Sequence, residues 1–267
     1  MNPFLNVARE AALIAGKIIT EIRNRPDLRI RFKEDNSPVT QADLAAQEVI
    51  ISTIRRYFNH QIRSEELPPT EGIFLGKDSP ETWIIDPIDG TEEFISGGKY
   101  FSISIAYTYH GEVLAGVIYA PALEQLYYAT RGDGAFLNDQ RIQVSSKQTL
   151  KEARQLLTPE QFRKKIYQKI LQVLETKPIL LKASLSLKAA LIASGEVDIY
   201  LKRGPTCEWD IAAGDLLIRE AGGVLTDLAG LPILYTDKNP GHILGLCAGN
   251  KILHPVTLKT LRTQGLL

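Results

Sequence analysis

The sequence predicts a fold in which an α+β half is followed by an α/β half. In the first half, two segments with apolar residues at helical spacing precede β-branched and aromatic runs with a period of two. After about residue 145, short apolar strands alternate with helical segments, which is typical of an α/β architecture. The chain has 267 residues, above the roughly 100–200 expected of one domain. We therefore predict two closely packed lobes, residues 1–145 and 146–267, with a functional site between them.

The first lobe is predicted to begin with two helices. Apolar residues recur at helical spacing over residues 2–23, which indicates an amphipathic helix. A turn signal at residues 36–38 precedes a second predicted helix over residues 40–57. Thr40 and Asp43 have the spacing of a capping box, so this helix is expected to start at Thr40.

A series of β-strands is predicted to follow the two helices. A strand is predicted to end at Glu65 and Glu66, and a short apolar strand at residues 83–85 follows it. The β-branched and aromatic runs at residues 101–107 and 113–119 flank a His-Gly-Glu turn, so they predict a hairpin. A third run at residues 125–130 extends it into an antiparallel meander.

The second lobe is predicted to alternate helices with strands. Its helices are expected at residues 159–174, 185–194 and 210–221, and its strands at residues 178–181, 197–202, 224–227 and 243–248. This alternation predicts an α/β lobe that packs against the first.

The charge balance and the cysteine content exclude several classes of protein. Lys and Arg number 31 and Asp and Glu number 31, so no overall field attracts nucleic acid or an anionic membrane. Apolar stretches are interrupted well before the about 20 residues that a membrane-spanning helix needs. Cys207 and Cys247 are too few for a disulfide framework, so we expect reduced thiols and a cytoplasmic location.

The most informative stretch is WIIDPIDGTEEF, residues 83–94. A buried strand is expected to deliver Asp86 at its end, and Pro87 is expected to turn the chain so that Asp89 presents a second carboxylate. Gly90 permits a close backbone approach, and the helix start after it offers free N–H groups to a phosphate. Because Mg²⁺ is usually held by a few carboxylates together with the phosphate of the substrate, the stretch predicts Mg²⁺-assisted phosphate chemistry.

Each acidic candidate also has an alternative structural role. Asp89 would serve as a solvated residue of an Asx-turn, and Glu65 with Glu66 would form a solvated acidic loop. Asp210 would cap the helix that follows it, and Asp43 would act only within the capping box. Residue patterns alone leave these alternatives open.

Five strings occur in order between residues 35 and 223 and carry a resemblance: DNSPVTQADLAAQ, SEE, WIIDPIDGTEEF, ASGEVDIY and GPTCEWDIAAGDLLIREAGG. They resemble the inositol monophosphatase superfamily of Mg²⁺-dependent, Li⁺-sensitive phosphatases. Within it they look most like the 3′(2′),5′-bisphosphate nucleotidases of the CysQ type. The resemblance implies a five-layered α/β/α/β/α sugar-phosphatase fold, with most metal ligands on the first lobe and the second lobe completing the site.

The resemblance also implies roles for individual residues. It assigns about two or three Mg²⁺ ions to oxygen ligands on Glu65, Asp86, the backbone carbonyl of Ile88, Asp89 and Asp210. Asp43 and Thr91 match the pair that activates the water which attacks phosphorus in line, and Glu66 is expected to orient metal-bound water. The N–H groups of Gly90 and Thr91 are expected to hold the phosphate.

The implied substrate is 3′-phosphoadenosine 5′-phosphate, converted to AMP and phosphate. The expected substrate contacts are Gly90, Thr91, Ser186, Lys188, Lys202, Arg203 and Glu208. The sequence departs from the nucleotidase pattern at Glu92, where those proteins carry Lys, and at Ser184 and Leu185, which replace small residues. These departures keep an inositol-1-phosphate or fructose-1,6-bisphosphate phosphatase as an alternative, and a non-catalytic metabolite-binding protein as a more remote one.

The predicted partner is a small phosphorylated metabolite. Zero net charge and the lack of a basic stripe with interleaved aromatic residues disfavour nucleic acid, and no integral membrane segment is expected. The resemblance leaves open a homodimer, because family members are found as monomers and as dimers. It also leaves open a peripheral association with the inner membrane, for which the sequence offers no basic patch.

Overall fold

The computed structural model describes residues 2–25, 29–32, 38–67, 79–236 and 243–267. Within them the α-helices are α1 Pro3–Arg23, α2 Gln41–Arg55, α3 Thr91–Ile95, α4 Pro159–Arg163, α5 Lys165–Leu174, α6 Leu185–Ala193, α7 Ala212–Glu220 and α8 Leu253–Thr263. The strands are β1 Ile30–Phe32, β2 Pro38–Thr40, β3 Gln61–Ser64, β4 Glu81–Asp89, β5 Ser102–Tyr109, β6 Glu112–Ala120, β7 Gln125–Thr130, β8 Gly134–Leu137, β9 Gln140–Ile142, β10 Arg154–Leu157, β11 Lys177–Leu180, β12 Ile199–Thr206, β13 Gly223–Thr226 and β14 Ile243–Asn250.

The strands form two large sheets and one small ribbon. A seven-stranded sheet runs in the order β3-β4-β5-β6-β7-β8-β9, in which only β3 and β4 pair in parallel. A five-stranded sheet runs in the order β11-β10-β12-β14-β13, with β10 parallel to both of its neighbours. Strands β1 and β2 form a separate antiparallel ribbon.

The alternation of side chains along the strands assigns each sheet face to a layer of helices. In the seven-stranded sheet, Ile85 and Ile105 pack in the cluster that contains α1 and α2. Ile84 and Ala106 point to the opposite face and pack in the cluster that contains α6 and α7. The two apolar faces of this sheet are therefore covered by two different helix pairs.

The five-stranded sheet repeats this arrangement. Leu156 and Leu246 face α6 and α7, whereas their neighbours Leu157 and Cys247 face α5 and α8. Helices α6 and α7 thus lie between the two sheets, and the order of layers is helix, sheet, helix, sheet, helix. The predicted five-layered fold is confirmed.

Several elements differ from their predicted bounds. The helix predicted at residues 159–174 is two helices, because Lys164 adopts an extended conformation with φ −77° and ψ 129°. The strand predicted at residues 83–85 continues to Asp89, so Pro87 does not end it. Instead the register with β5 shifts between Asp86 and Asp89, a β-bulge that tolerates a proline without an N–H group.

Two further sequence predictions need comment. Strands β8, β9 and β10 were not anticipated, since they are short and lack a clear alternating pattern. Of the turn predicted at residues 36–38, residues 36 and 37 lie outside the described residues, whereas Pro38 begins strand β2. The last strand of the seven-stranded sheet ends at Ile142, and the first strand of the five-stranded sheet begins at Arg154. The division of the chain into two lobes at residue 145 stays a prediction.

Candidate metal and phosphate site

Three aspartates from two parts of the fold meet in one cluster. Asp86 and Asp89 lie on β4, and Asp210 lies between β12 and α7. Each offers one carboxylate oxygen, and these three oxygens lie within 4.8 Å of one another. Residues three positions apart point to opposite faces of a regular strand, so the bulge in β4 is what brings Asp86 and Asp89 to the same side.

Glu65 extends this cluster from the neighbouring strand. It is the first residue after β3, and its N–H donates to the carbonyl of Ile85 at 3.2 Å. Burial raises the pKa of Asp86 well above its usual range, and the negative charges of Glu65, Asp89 and Asp210 add to the effect. The Glu65 carboxylate therefore lies near that of Asp86, although the cluster within 4.8 Å consists of the three aspartates.

The electrostatics of the cluster fit a divalent cation. Burial raises the pKa of Asp210 to about 8, and the charge of Asp89 raises it further. The backbone N–H of Ile88 donates to Oδ1 of Asp86, but Oδ2 of Asp86 is buried without a hydrogen-bond partner among the described residues. Closely spaced carboxylates with an oxygen that accepts no hydrogen bond are the ligand set that hard cations such as Mg²⁺ prefer.

Asp43 and Thr91 lie next to the cluster. The Thr91 hydroxyl is 3.3 Å from Oδ1 of Asp43 and 3.1 Å from the carbonyl oxygen of Ile88. Oδ2 of Asp43 accepts hydrogen bonds from both the N–H and the hydroxyl of Thr40, at 2.7 and 2.6 Å. Asp43 therefore completes the predicted capping box of α2 and also contacts Thr91.

Asp89 joins the seven-stranded sheet to the helix layer between the sheets. Its carboxylate accepts the backbone N–H of Leu185 at 3.2 Å and that of Ser186 at 2.6 Å, both in the first turn of α6. Burial raises the pKa of Asp89, and the hydrogen bonds from Ser186 and Leu185 offset part of that rise. A negative charge at a helix N-terminus is also favourable.

Three buried hydroxyl groups lie behind this helix start. The Ser102 hydroxyl on β5 is 2.6 Å from that of Ser184 and 2.8 Å from that of Ser186. Ser102 was not among the predicted site residues. The sequence gives no signal that Ser102 contacts the start of α6, because its partners Ser184 and Ser186 are more than 80 residues away.

Gly90 separates the cluster from helix α3. It has φ +88°, and a β-carbon on it would lie 3.2 Å from that of Ser184. A cleft of about 490 Å³ opens here, lined by Pro38, Glu65, Asp89, Gly90, Thr91, Glu92, Glu93, Thr158, Glu160, Lys182, Ala183, Ser184 and Leu185. Gly90 thus allows the chain to pass close to Ser184 at the wall of the cleft.

The predicted basic contacts differ in exposure. Lys188 is buried, with Nζ 5.7 Å from the centre of the Tyr200 ring. Burial lowers the pKa of Lys188 to about 8, while the charge of Asp89 raises it and that of Lys202 lowers it. Lys202 is half-buried, and Arg203 is exposed. Lys188 is therefore near enough to Asp89 and Lys202 for their charges to affect its pKa.

Glu66 and Glu208 occupy other surroundings. Glu66 is half-buried in the turn after β3. Glu208 is only 2% exposed, and its Oε2 is 2.7 Å from Nη1 of Arg63. Oε2 of Glu208 is thus held by Arg63, and we do not include Glu208 among the proposed substrate contacts.

A model of the inositol monophosphatase family matches residues 1–266 of the chain. The chain belongs to the inositol monophosphatase family. The resemblance carried by the five strings is thereby confirmed at the level of the family, which is a family of metal-dependent phosphomonoesterases.

Relatives of known name agree with this family. The chain is 40% identical over 243 residues to the Nus factor SuhB of Pasteurella multocida, covering 86% of this chain and 87% of that protein. It is 32% identical to an inositol monophosphatase of Thermotoga maritima, with a TM-score of 0.82 and 98% and 99% of the two chains covered. The extragenic suppressor protein SuhB of Bartonella henselae is 30% identical, with a TM-score of 0.84 over the same shares.

These comparisons change the expected position within the inositol monophosphatase family. The relatives described are SuhB proteins and inositol monophosphatases, so the closer likeness to CysQ-type nucleotidases is not supported. The departures at Glu92, Ser184 and Leu185 are consistent with this correction, since all three line the cleft. No helix in the described part of the chain has the length and apolar character needed to cross a bilayer.

Proposed function

We propose that the chain is a Mg²⁺-dependent phosphatase of small phosphorylated polyols, with inositol 1-phosphate as the first candidate substrate. The observation that carries the proposal is the cluster of Asp86, Asp89 and Asp210, whose carboxylate oxygens lie within 4.8 Å of one another beside an open cleft. The likeness to inositol monophosphatases supports the choice of substrate.

The residues that would hold Mg²⁺ are all oxygen donors: Glu65, Asp86, the carbonyl of Ile88, Asp89 and Asp210. When bound, Mg²⁺ supplies positive charge that polarises the phosphate, lowers the pKa of water and stabilises the leaving alkoxide. The proposed nucleophile is water and not a side chain of the protein. Cys207 is close to Asp210, but burial raises the pKa of its thiol to about 11, so it is protonated at neutral pH.

Asp43 and Thr91 would handle the proton of the attacking water. A hydroxyl can donate one hydrogen bond and accept others, so Thr91 can donate to Asp43 and accept from the water. Burial raises the pKa of Asp43 to about 6, which brings its basicity closer to that of an efficient general base at neutral pH. The backbone N–H groups of Gly90 and Thr91 would hold the phosphate at the cleft.

Lys188 and Lys202 favour a competing substrate with a second anionic group. Lys188 feels the charge of Asp89, and Lys202 feels that of Asp210. Arg203 on the same strand would contact a group that extends further out. A bisphosphate such as 3′-phosphoadenosine 5′-phosphate or fructose 1,6-bisphosphate would use these cations, with Ser186 beside the phosphate.

A side-by-side assay tests the proposal. Phosphate release is measured with Mg²⁺ from inositol 1-phosphate, fructose 1,6-bisphosphate and 3′-phosphoadenosine 5′-phosphate, with and without Li⁺. We expect the highest kcat/KM for inositol 1-phosphate. A preference of about a hundredfold for either bisphosphate, worth roughly 2.7 kcal/mol, would assign Lys188 and Lys202 to a second phosphate instead. Hydrolysis of none of the three would contradict the proposal.

The relatives named Nus factor SuhB favour a second candidate, a role as a Nus factor. The test is to express the wild-type chain and an Asp89→Asn variant in Escherichia coli cells that lack SuhB. Replacement of SuhB by both proteins would support a Nus-factor role that does not need hydrolysis. Replacement by neither would contradict this candidate.

A further inference from the structure

A buried ion pair connects the two segments that carry metal ligands from different sheets. Nη1 of Arg63 is 2.7 Å from Oε2 of Glu208, and the two side chains are only 10% and 3% exposed. Arg63 precedes Glu65 by two residues, and Glu208 precedes Asp210 by two residues. Each member of the ion pair therefore lies two residues along the chain from a proposed ligand.

The position of Arg63 is fixed by the seven-stranded sheet. It lies on β3, where its Cα pairs with that of Ile84 on β4. Directly paired residues point to the same face of a sheet, and Ile84 packs in the cluster that contains α6 and α7, so Arg63 points to that side of the sheet. Nη2 of Arg63 also donates to the carbonyl oxygen of Tyr235 at 3.2 Å, so the guanidinium is held by the segment after β13 as well as by Glu208.

The position of Glu208 is fixed by the start of α7. Its backbone carbonyl accepts the N–H groups of Ile211 and Ala212, at 3.2 and 2.9 Å. In the same turn the N–H of Cys207 donates to Oδ2 of Asp210 at 3.2 Å. A displacement of Glu208 would move this turn, and Asp210 would move with it.

The ligand cluster needs such an attachment because its members repel one another. Asp86 and Asp89 belong to the seven-stranded sheet, whereas Asp210 follows a strand of the five-stranded sheet. Like charges within 4.8 Å disfavour the closed arrangement until a cation neutralises them. An attraction between opposite charges next to the cluster would offset part of that repulsion.

We propose that the Arg63–Glu208 ion pair is a positioning device that holds Asp210 against Glu65 and Asp86, so that cation affinity depends on it. Neither residue is among the proposed ligands, so both would act through the ligands two positions away. The inference rests on the proposed ligand roles of Glu65 and Asp210. Residues that orient ligands from outside commonly change metal affinity by about 10–100-fold when they are replaced.

The variants are Glu208→Gln, which keeps the shape and removes the charge, and Arg63→Lys, which keeps the charge. The control is Asp198→Asn. Asp198 is fully buried and pairs with Arg154 at 3.3 Å, but it precedes β12, about 25 Å along that strand from the end near Asp210. The control thus alters a comparable ion pair far from the cluster.

The first measurement is binding of Mn²⁺ alone, followed by electron paramagnetic resonance. Glu208→Gln is expected to weaken Mn²⁺ binding by at least about tenfold, Arg63→Lys to weaken it less, and Asp198→Asn to leave it within about twofold of wild type. In the phosphate-release assay, Glu208→Gln should raise the Mg²⁺ concentration that gives the half-maximal rate. KM for the phosphate ester at saturating Mg²⁺ should stay near the wild-type value.

Three outcomes would overturn the proposal. In the first, Glu208→Gln and Arg63→Lys are folded by circular dichroism and bind Mn²⁺ as tightly as wild type. In the second, Asp198→Asn weakens binding as much as Glu208→Gln, which would indicate a general loss of stability. In the third, the wild type binds no divalent cation, and the proposed function then fails with it. If Glu208→Gln does not fold, Glu208→Asp replaces it under the same criteria.

Failure of the proposed function alone gives a different pattern. The wild type would bind Mn²⁺ but release no phosphate from any of the three esters. The Mn²⁺ titration of the variants would then still decide whether the Arg63–Glu208 ion pair positions the ligands.

Discussion

Oδ2 of Asp89 accepts the backbone N–H of Ser186 at 2.6 Å, so a proposed metal ligand on β4 also forms a hydrogen bond with the first turn of α6. The same carboxylate therefore has two tasks, one at the cation and one at the junction between the sheet and the helix layer. A carboxylate that is already fixed by two N–H groups needs little rearrangement when a cation binds. This relationship makes Asp89 the first residue to test.

We expect Asp89→Asn to lower kcat for phosphate release by at least about a hundredfold, because the amide provides a weaker ligand for Mg²⁺ and disturbs the α6 junction. The assay is steady-state phosphate release with inositol 1-phosphate at saturating Mg²⁺. Asp139→Asn is the control, since Asp139 is an exposed carboxylate that pairs with Arg9 at 3.0 Å. Near-normal turnover of Asp89→Asn would contradict the proposed site.

Asp86→Asn should stabilise the metal-free protein. The pKa of Asp86 is raised by its burial and by three neighbouring carboxylates, so removal of its charge relieves repulsion. Calorimetry in EDTA should show a rise in Tm of about 2–4 °C for each kcal/mol gained. The wild type should gain stability from Mg²⁺, and the variant should gain far less. A lower Tm for the variant in EDTA would count against a repulsive cluster.

Thr91→Val should lower kcat by about 10²–10⁴-fold, whereas Thr91→Ser should retain most of it. Valine removes the hydroxyl that lies between Asp43 and the carbonyl of Ile88, at 3.3 and 3.1 Å, and serine keeps it. Single-turnover phosphate release separates this effect from product release. Equal rates for the two variants would show that the hydroxyl does not transfer the proton.

Gly90→Ala should destabilise the protein more than Gly132→Ala. Both glycines have positive φ, +88° and +87°, so each alanine costs about 1–2 kcal/mol in backbone strain. A β-carbon at residue 132 meets nothing within 4 Å, but one at residue 90 lies 3.2 Å from Ser184. Urea unfolding measures the difference, which the strained approach to Ser184 would cause. Equal losses in the free energy of unfolding would show that Ser184 moves aside for the new β-carbon at little cost.

Because of Asp215, the free energy of unfolding should decrease as pH rises from about 4 to about 6. Burial raises its pKa to about 6, although Arg219 and Tyr235 contact its carboxylate at 2.7 and 3.0 Å. The folded pKa exceeds the unfolded value of about 3.9, so the folded state binds more protons in this window and loses about 3 kcal/mol as pH rises.

The measurement compares wild type with Asp215→Asn by urea unfolding across this pH range with Mg²⁺ present. The asparagine does not titrate, so the stability of wild type relative to the variant should decrease as pH rises from 4 to 6. A difference that is independent of pH would show that Asp215 is ionised throughout.

Much of the architecture could be predicted from the sequence because it follows from local patterns. Helical spacing placed α1, whereas the five layers were implied by the resemblance to the inositol monophosphatase superfamily. Local patterns could not show that Lys164 is extended, since each neighbouring turn has an acceptable helical sequence. Pro87 was expected to end a strand, but pairing with β5 continues on both sides of the bulge.

Contacts between distant residues were the part that local patterns could not provide. Ser102 approaches Ser184 and Ser186, and Arg63 approaches Glu208, only after the two sheets have packed on the same helix layer. Arg63 lies two positions before Glu65 in the sequence, but no sequence pattern indicated that it pairs with Glu208. Glu208 was accordingly expected at the substrate, although the structure buries it beside Arg63.

The division of the carboxylates between two sheets has a consequence for folding kinetics. An intermediate with only the seven-stranded sheet formed would contain Asp86 and Asp89 but lack Asp210. Such an intermediate binds a cation weakly, so the free energy of binding appears only when the sheets dock. Mg²⁺ is therefore expected to slow unfolding while leaving the rate of folding almost unchanged. A cation at this junction would protect the completed molecule without speeding its formation.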